Sequence, residues 1–453
     1  MAKLTEPSRR ARPFQYDEAG ALRCDRVEIA GLAKRFGTPL YVYSGSQIRS
    51  RLQLFRRHFR DRDHLVCYAV KANSNLSVLK LVAEEGAGFD IVSGGELERV
   101  LRVAKSAARR TVFSGVGKTA EEMRLALDAR ILLFNVESEA EVELLEEQAS
   151  RSKRRARMAL RVNPDVFAET HPYISTGLRE HKFGIDIDAA RAVYRRAAKS
   201  RWLEPSAISV HIGSQIRSAE PFQAALARVS ALVRDLAADG IDLRVVDAGG
   251  GLGIDYHAPL EDEESGAAAP HTDILAAFTF NAEQEVAAYA AALKAGLAGL
   301  KVKLLLEPGR FMVAQAGALV TRVLHAKRNG TKRFLITDAG MNDLLRPSLY
   351  GAHHEIVPVQ RAGSAAVEAR QMVDVVGPVC ETGDFFARDR ILPQLAPGEL
   401  VAILDAGAYG MSLASNYNTR GGGGGVRVGG GRGRMVRRRG AAADQLRLDV
   451  LGR

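Results

Sequence analysis

Cysteine is scarce in this chain: Cys24, Cys67 and Cys380 are the only three among 453 residues, far apart and without a CxxC pair. That spacing excludes a disulfide framework and a cysteine-built zinc site, and predicts reduced thiols in a cytoplasmic protein. No apolar run is long enough to span a bilayer, and the basic N-terminus, MAKLTEPSRRARPFQYDEAG, lacks the apolar core of an export signal. A soluble protein without membrane contact is the expectation. Acidic residues are missing between Arg420 and Gly440, where seven arginines stand, which leaves about +4 of the formal net charge of +11 for the rest of the chain. The basicity belongs to this tail and, screened over roughly 8 Å at physiological salt, says little about ligands bound elsewhere. The tail also lacks aromatic side chains for base stacking, which argues against nucleic acid as a partner.

What is present is a rhythm. Eight short apolar runs, at 65–70, 89–92, 111–113, 131–134, 158–162, 208–210, 243–246 and 302–306, alternate with longer stretches of helical period. Repeated βα units of this number predict an α/β fold built on a (β/α)8 barrel. Polar residues cluster just after the runs: Lys71, Ser93-Gly94-Gly95, Ser114-Gly115, Asn135, Asn163-Pro164, His211 to Gln215, Asp247 to Gly251, and Glu307-Pro308-Gly309-Arg310. Barrel enzymes place their chemistry on those loops. Beyond Arg310 the pattern changes to short strands with turn residues, a C-terminal β domain. The expected division is 1–36 as outer strands joining that domain, 37–311 as barrel, and 312–453 as the β domain with the Gly/Arg tail at 420–440. The acidic, Ala-rich stretch 260–272 reads as a surface insertion.

The loop residues suggest one cofactor. Gly249, Gly250 and Gly251 lack a Cβ, so their backbone N–H groups can approach an anion closely. A lysine able to form a Schiff base, a glycine cup for phosphate, a histidine able to cover a ring and a glutamate able to hold a pyridine nitrogen together fit pyridoxal 5'-phosphate. Glu307 opposite that nitrogen would favour a strong electron sink, hence decarboxylation. The adjacent His353 and His354 have no carboxylate at ligand spacing and read as structural, so no metal is expected.

The ordered motifs GTPLYVYS, YAVKANSN, FDIVSGGEL, HPYISTG, HKFGI, HIGSQ, DAGGGLGIDY, EPGR, DLLRPSLYGAHHEI, GPVCETGD and GAYGMSLASNYN run through most of the chain. On these it resembles the fold-type III pyridoxal-phosphate enzymes, of the alanine racemase-like barrel type, and within them the diaminopimelate decarboxylases. The resemblance implies that Lys71 anchors the cofactor and His211 stacks on its ring. Ser214 and the Gly249, Gly250, Gly251 turn would bind phosphate, Glu307 the ring nitrogen, with Gly309 and Arg310 of EPGR also at the cofactor. Arg310 and Arg346 resemble substrate-carboxylate ligands, a role suited to a planar guanidinium. Tyr350 and Glu381 would meet the distal end of the substrate, and Tyr409 both phosphate and substrate. Cys380 would be the proton donor, contributed with Glu381 by a neighbouring subunit, which implies a homodimer with shared active sites.

The implied reaction is decarboxylation of meso-diaminopimelate to L-lysine and carbon dioxide, the last step of lysine biosynthesis. Related decarboxylases of ornithine, arginine or carboxynorspermidine are the nearest alternative, but those basic substrates call for an acidic distal pocket, whereas Arg310 and Arg346 suit a diacid. Alanine racemases place arginine, not glutamate, at the ring nitrogen. A non-catalytic pyridoxal-phosphate protein, or an RNA-binding one using the tail, is the alternative of another class. The tail departs from the family: Gly421 to Gly425 stand where it continues with proline and mixed residues. Residues 426–428 and 435–439 still resemble its closing strands and 445–451 its closing helix. Five consecutive glycines predict a loose edge there.

Overall fold

The computed structural model describes residues 12–166, 182–256, 280–361 and 370–451. HPYISTG and the 260–272 stretch lie outside the described residues. The chain forms two compact units, one of residues 49–254 and 282–312, the other of 1–48, 255–281 and 313–453.

The first unit is a closed barrel of eight parallel strands: His64–Ala69, Gly88–Ile91, Thr111–Phe113, Leu133–Val136, Ala156–Asn163, Leu203–Val210, Val245–Asp247 and Lys303–Leu306. Closure comes from pairing of Lys303–Leu306 with His64–Ala69 and of Leu133–Val136 with Ala156–Asn163. Each predicted run supplies one strand. Parallel strands packed on both faces must be apolar on both faces, which is why they read as runs rather than as alternation. The helices that follow start at side-chain caps placed just past the strand ends: Asn75 accepts from the Ser77 N–H, Ser93 from Glu96, Thr119 from Glu122 and Ser138 from Glu141. The serine of FDIVSGGEL is such a cap, holding helix Gly94–Val103 at the mouth.

The second unit is a nine-stranded sheet. Its path runs Phe385–Pro393, Arg370–Val376, Lys332–Thr337, Gly317–Asn329, Leu40–Ser44, Gly424–Gly429, Arg432–Arg437, with Leu400–Ile403 branching from Gly317–Asn329 and Ile356–Pro358 pairing in turn with Leu400–Ile403. Leu40–Ser44, which the motif reading assigned to the barrel, is thus an inner strand of this sheet. All five of its residues are buried. Tyr41 and Tyr43 enter one core with Leu319, Val375 and Ile403; Leu40 and Val42 enter another with Ala318, Val320 and Val426. The N-terminal strands Phe14–Tyr16, Leu22–Cys24 and Val27–Glu28 form a small sheet of their own, packed through Phe14, Leu22 and Cys24 onto the second of these cores.

Of the five consecutive glycines, Gly424 and Gly425 enter a paired strand, and Gly421 to Gly423 precede it. Gly424–Gly429 runs parallel to Leu40–Ser44 and antiparallel to Arg432–Arg437. The closing helix is shorter than the motif reading implied and sits earlier, at Ala442–Leu446. No helix of the described residues is long and apolar enough to cross a membrane.

Candidate active site

Lys71 lies two residues past the end of its strand. The chain leaves His64–Ala69 into the single turn Val70–Ala72, and the turn brings the Lys71 Nζ to 3.0 Å from Asp90 Oδ2. Asp90 is fully buried on Gly88–Ile91, while the lysine side chain is 36% exposed, so the amine stands between a buried anion and the open mouth.

Beside this pair is a buried carboxyl network. Glu307 follows Lys303–Leu306, and Asp247 ends Val245–Asp247. The Asn135 amide donates to Asp247 Oδ2 at 2.7 Å, to Ser114 Oγ at 3.1 Å and to Glu307 Oε1 at 3.4 Å. Ser114 donates to Glu307 Oε1 at 3.4 Å, and the Gly249 N–H to Asp247 Oδ1 at 3.0 Å. Burial first, and then the negative charge of Asp247 and Asp90, pushes the Glu307 carboxyl well above its usual range; burial also raises Asp247.

The glycine turn is one that no other residue fits. A Cβ on Gly249 would lie 2.5 Å from the Val210 carbonyl, on Gly250 2.3 Å from that of Glu307, and on Gly251 2.5 Å from that of Gly213. Gly249 and Gly251 also take φ of +66° and +106°. The turn is laced to its neighbours: the Glu307 N–H donates to the Gly249 carbonyl at 2.8 Å and the Ile216 N–H to that of Gly251 at 2.9 Å. Ser214 therefore sits next to the cradle, and its hydroxyl accepts from Arg310 Nη2 at 3.2 Å. Gly309 lets the EPGR turn close on the lysine turn, since a Cβ there would be 3.1 Å from the methyl groups of Ala69 and Ala72.

His211 leaves Leu203–Val210 beside Gly249. Burial, then the positive charges of Arg161 and Lys71, drives its imidazole pKa well below the usual value, so the ring is neutral. Arg161 is itself held by Glu137 at 3.2 Å. A backbone cradle, an amine, a neutral imidazole and a buried carboxyl acid are a donor set that fits pyridoxal 5'-phosphate.

The sequence candidates thus divide. Lys71, His211, Ser214, Gly249, Gly250, Gly251, Glu307, Gly309 and Arg310 stand at the C-terminal ends of barrel strands, whereas Arg346, Tyr350, Cys380, Glu381 and Tyr409 belong to the β unit. Buried Arg346 donates to His354 Nε2 at 2.7 Å and stacks over the Tyr256 ring at 4.4 Å. His354 Nδ1 donates to the Leu404 carbonyl at 2.8 Å, which fixes its tautomer and explains its burial. His353 lies between Glu355, 3.2 Å from Nε2, and Arg390, 3.1 Å from Nδ1. Tyr350 ends helix Arg346–Tyr350. Cys380 and Glu381 are exposed on the loop before Phe385–Pro393, where the Cys380 N–H donates to Asn418 Oδ1 at 2.8 Å. Tyr409 takes a left-handed φ of +56°, uncommon for a non-glycine residue.

Asp90 and Asp247 were given no role from sequence. The signal for the first was an aspartate inside an apolar run, FDIV; a charge there is costly unless it is paired.

A family model described as pyridoxal-dependent decarboxylase, pyridoxal binding domain, matches residues 45–314. Among curated relatives, the diaminopimelate decarboxylase of Pseudomonas aeruginosa is 47% identical over 426 residues, covering 94% of this chain and 96% of the relative. Among solved structures, diaminopimelate decarboxylase from Helicobacter pylori complexed with L-lysine is 42% identical with a TM-score of 0.82, covering 92% of this chain and 98% of that one. The enzyme from M. jannaschii, in co-complex with L-lysine, is 33% identical with a TM-score of 0.86, covering 97% and 98%.

Proposed function

The chain belongs to the diaminopimelate decarboxylase family of pyridoxal-dependent decarboxylases, and from this premise we propose that it removes the carboxylate from the D-configured carbon of meso-2,6-diaminoheptanedioate, giving L-lysine and carbon dioxide. The observation that carries the reading is the convergence on one barrel mouth of the Lys71–Asp90 pair, a buried Glu307 and a glycine cradle that tolerates no Cβ.

When bound, pyridoxal 5'-phosphate supplies an aldehyde that condenses with an amine and a ring that takes up the electron pair left when a carboxylate departs. The chain's own residues do the rest. Asp90 orients the Lys71 amine and keeps its charge neutralised until that amine reacts. N–H groups of the Gly249, Gly250, Gly251 turn, with Ser214 and Tyr409, hold the phosphate. Glu307 holds the ring nitrogen, and neutral His211 covers the ring without repelling a protonated nitrogen. Gly309 lets the turn bearing Arg310 close beside Lys71.

For the substrate, Arg310 and Arg346 are assigned to carboxylates, and Tyr350 and Glu381 to the distal end. An arginine left without its carboxylate in a closed site is costly, which disfavours monocarboxylates such as ornithine or arginine. Cys380 delivers the proton to the carbon that lost carbon dioxide. Its exposure together with that of Glu381 supports a homodimer in which each copy lends these two residues to its partner's site. A cytoplasmic setting suits three cysteines that form no disulfide.

Purified protein supplied with pyridoxal 5'-phosphate and meso-diaminopimelate should release equimolar L-lysine and carbon dioxide, with little release from ornithine or arginine. Preference for ornithine or arginine would overturn the substrate assignment. An equally active Lys71→Ala variant would overturn the anchor.

A further inference from the structure

Three carboxyl groups are buried beneath the barrel mouth: Asp90 and Asp247 are 0% exposed and Glu307 is 6% exposed. Lys71 is ion-paired to one of them, Asp90. Full ionisation would set three negative charges against that one cation in a low-dielectric interior, an arrangement too costly to persist. The hydrogen bonds show how it is avoided. Asp247 is fixed as an acceptor, taking the Asn135 amide on Oδ2 and the Gly249 N–H on Oδ1. Glu307 meets the same amide, with Asn135 Nδ2 3.4 Å from its Oε1, so the two buried carboxyls converge on one donor. Two carboxylates have no hydrogen to offer one another, so a proton on one of them relieves the repulsion; Asp247 already uses both oxygens as close acceptors, whereas Glu307 accepts at 3.4 Å through Oε1, which leaves the proton to Glu307.

Resting on the cofactor assignment above, we propose that Glu307 carries this proton before the cofactor binds, that Asp247 is the positioning residue that accepts it and aims Glu307, and that the proton is a placeholder for the positive charge of the ring nitrogen. Binding then exchanges one positive charge for another. Glu307 loses its proton and pairs as a carboxylate with the ring N–H. If the ring nitrogen arrives unprotonated, the proton crosses to it; if it arrives protonated, the carboxyl proton leaves to solvent. Either way the protein holds one carboxylic acid fewer afterwards.

The surroundings support this assignment. Cys67 on His64–Ala69 and Tyr289 on Ala282–Gly296 also lie within reach of the pair's charge. Both are acids, and burial, reinforced by the carboxyl charges, raises their pKa values and keeps them neutral, so they add no further negative charge. Glu307 itself is pushed well above the ordinary carboxyl range, first by burial.

The test is infrared difference spectroscopy on protein stripped of cofactor with hydroxylamine and titrated with pyridoxal 5'-phosphate, with visible absorbance of the Lys71-bound cofactor followed in parallel. Wild type should lose one protonated-carboxyl C=O band per chain as the absorbance appears. Glu307→Gln should lack that loss, and in Asp247→Asn the band should move to the higher frequency of a less strongly bonded acid. Appearance of the absorbance without loss of the band overturns the proposal, and needs no variant to fold. An unmoved band in Asp247→Asn overturns the pairing. Failure of the absorbance itself overturns the cofactor assignment instead.

Discussion

At the scale of single residues, Lys71 takes its character from Asp90. The aspartate is wholly buried and holds the amine at 3.0 Å, so its charge is both a partner and a positioning device. Asp90→Asn keeps the shape and removes the charge. It should lower kcat/KM about 10²-fold, the scale of a reacting group misplaced by about 1 Å, and slow cofactor loading. Steady-state kinetics with stopped-flow loading checks both. Glu96, the helix residue that accepts from the Val92 N–H at 2.8 Å, has a pKa pushed up to about 7, chiefly by burial. A raised carboxyl pKa means the folded state holds the proton more tightly than the unfolded one. Stability is therefore undiminished below pH 4.5, falls as pH rises toward about 7 and stays reduced above it. Glu96→Gln keeps the acceptor without the charge. It should be more stable than wild type at pH 8, by about 1–3 kcal/mol, and no different at pH 4; urea denaturation at the two pH values decides.

At the scale of elements, the eight barrel strands were legible because strands buried on both faces must be apolar throughout. Leu40–Ser44 was counted with the barrel only because the boundary was drawn at residue 37. Pattern alone says that a strand is doubly buried, not which sheet it enters, and here Tyr41 and Tyr43 found partners in the β unit. The loop residues of the site were legible by position, after strand ends. Asp90 was not, because it sits within its strand and owes its importance to a lysine 19 positions away. The five-glycine run was expected to make a loose or only partly folded edge, because composition does not say what each glycine meets. A Cβ on Gly421 would lie 1.9 Å from the Gly440 carbonyl, whereas one on Gly422 would find only the Arg437 guanidinium at 3.8 Å. Gly421→Ala should therefore cost about 1–3 kcal/mol, and Gly422→Ala should stabilise by about 0.4–1 kcal/mol through the unfolded chain. Denaturant melts of the two variants should move in opposite directions. Gly250→Ala drives a methyl into the Glu307 carbonyl, 2.3 Å away, and should abolish cofactor retention, read as lost visible absorbance.

At the scale of the whole molecule, the cofactor chemistry was legible from ordered motifs, and the proposed homodimer, which the resemblance implied, gains support from the exposure of Cys380 and Glu381. The loop carrying Cys380 and Glu381 is pinned through its main chain to Asn418, yet both side chains are exposed. Glu381 accepts from Tyr417, itself 42% exposed, at 3.4 Å. A proton donor left in open solvent would deliver its proton with no control of face, so these residues make chemical sense as parts of a site completed by a second copy. A closed two-fold dimer makes a quantitative demand on mixtures of inactive variants. Lys71→Ala and Cys380→Ala chains, each inactive alone, should regain activity when co-refolded in equal amounts. Random pairing makes about half the dimers mixed, and each mixed dimer has one site with both Lys71 and Cys380 intact, so recovery should reach about one quarter of wild type. If each chain carried its own complete site, no mixture would recover anything, and activity staying at the level of the separate variants would reject the shared site.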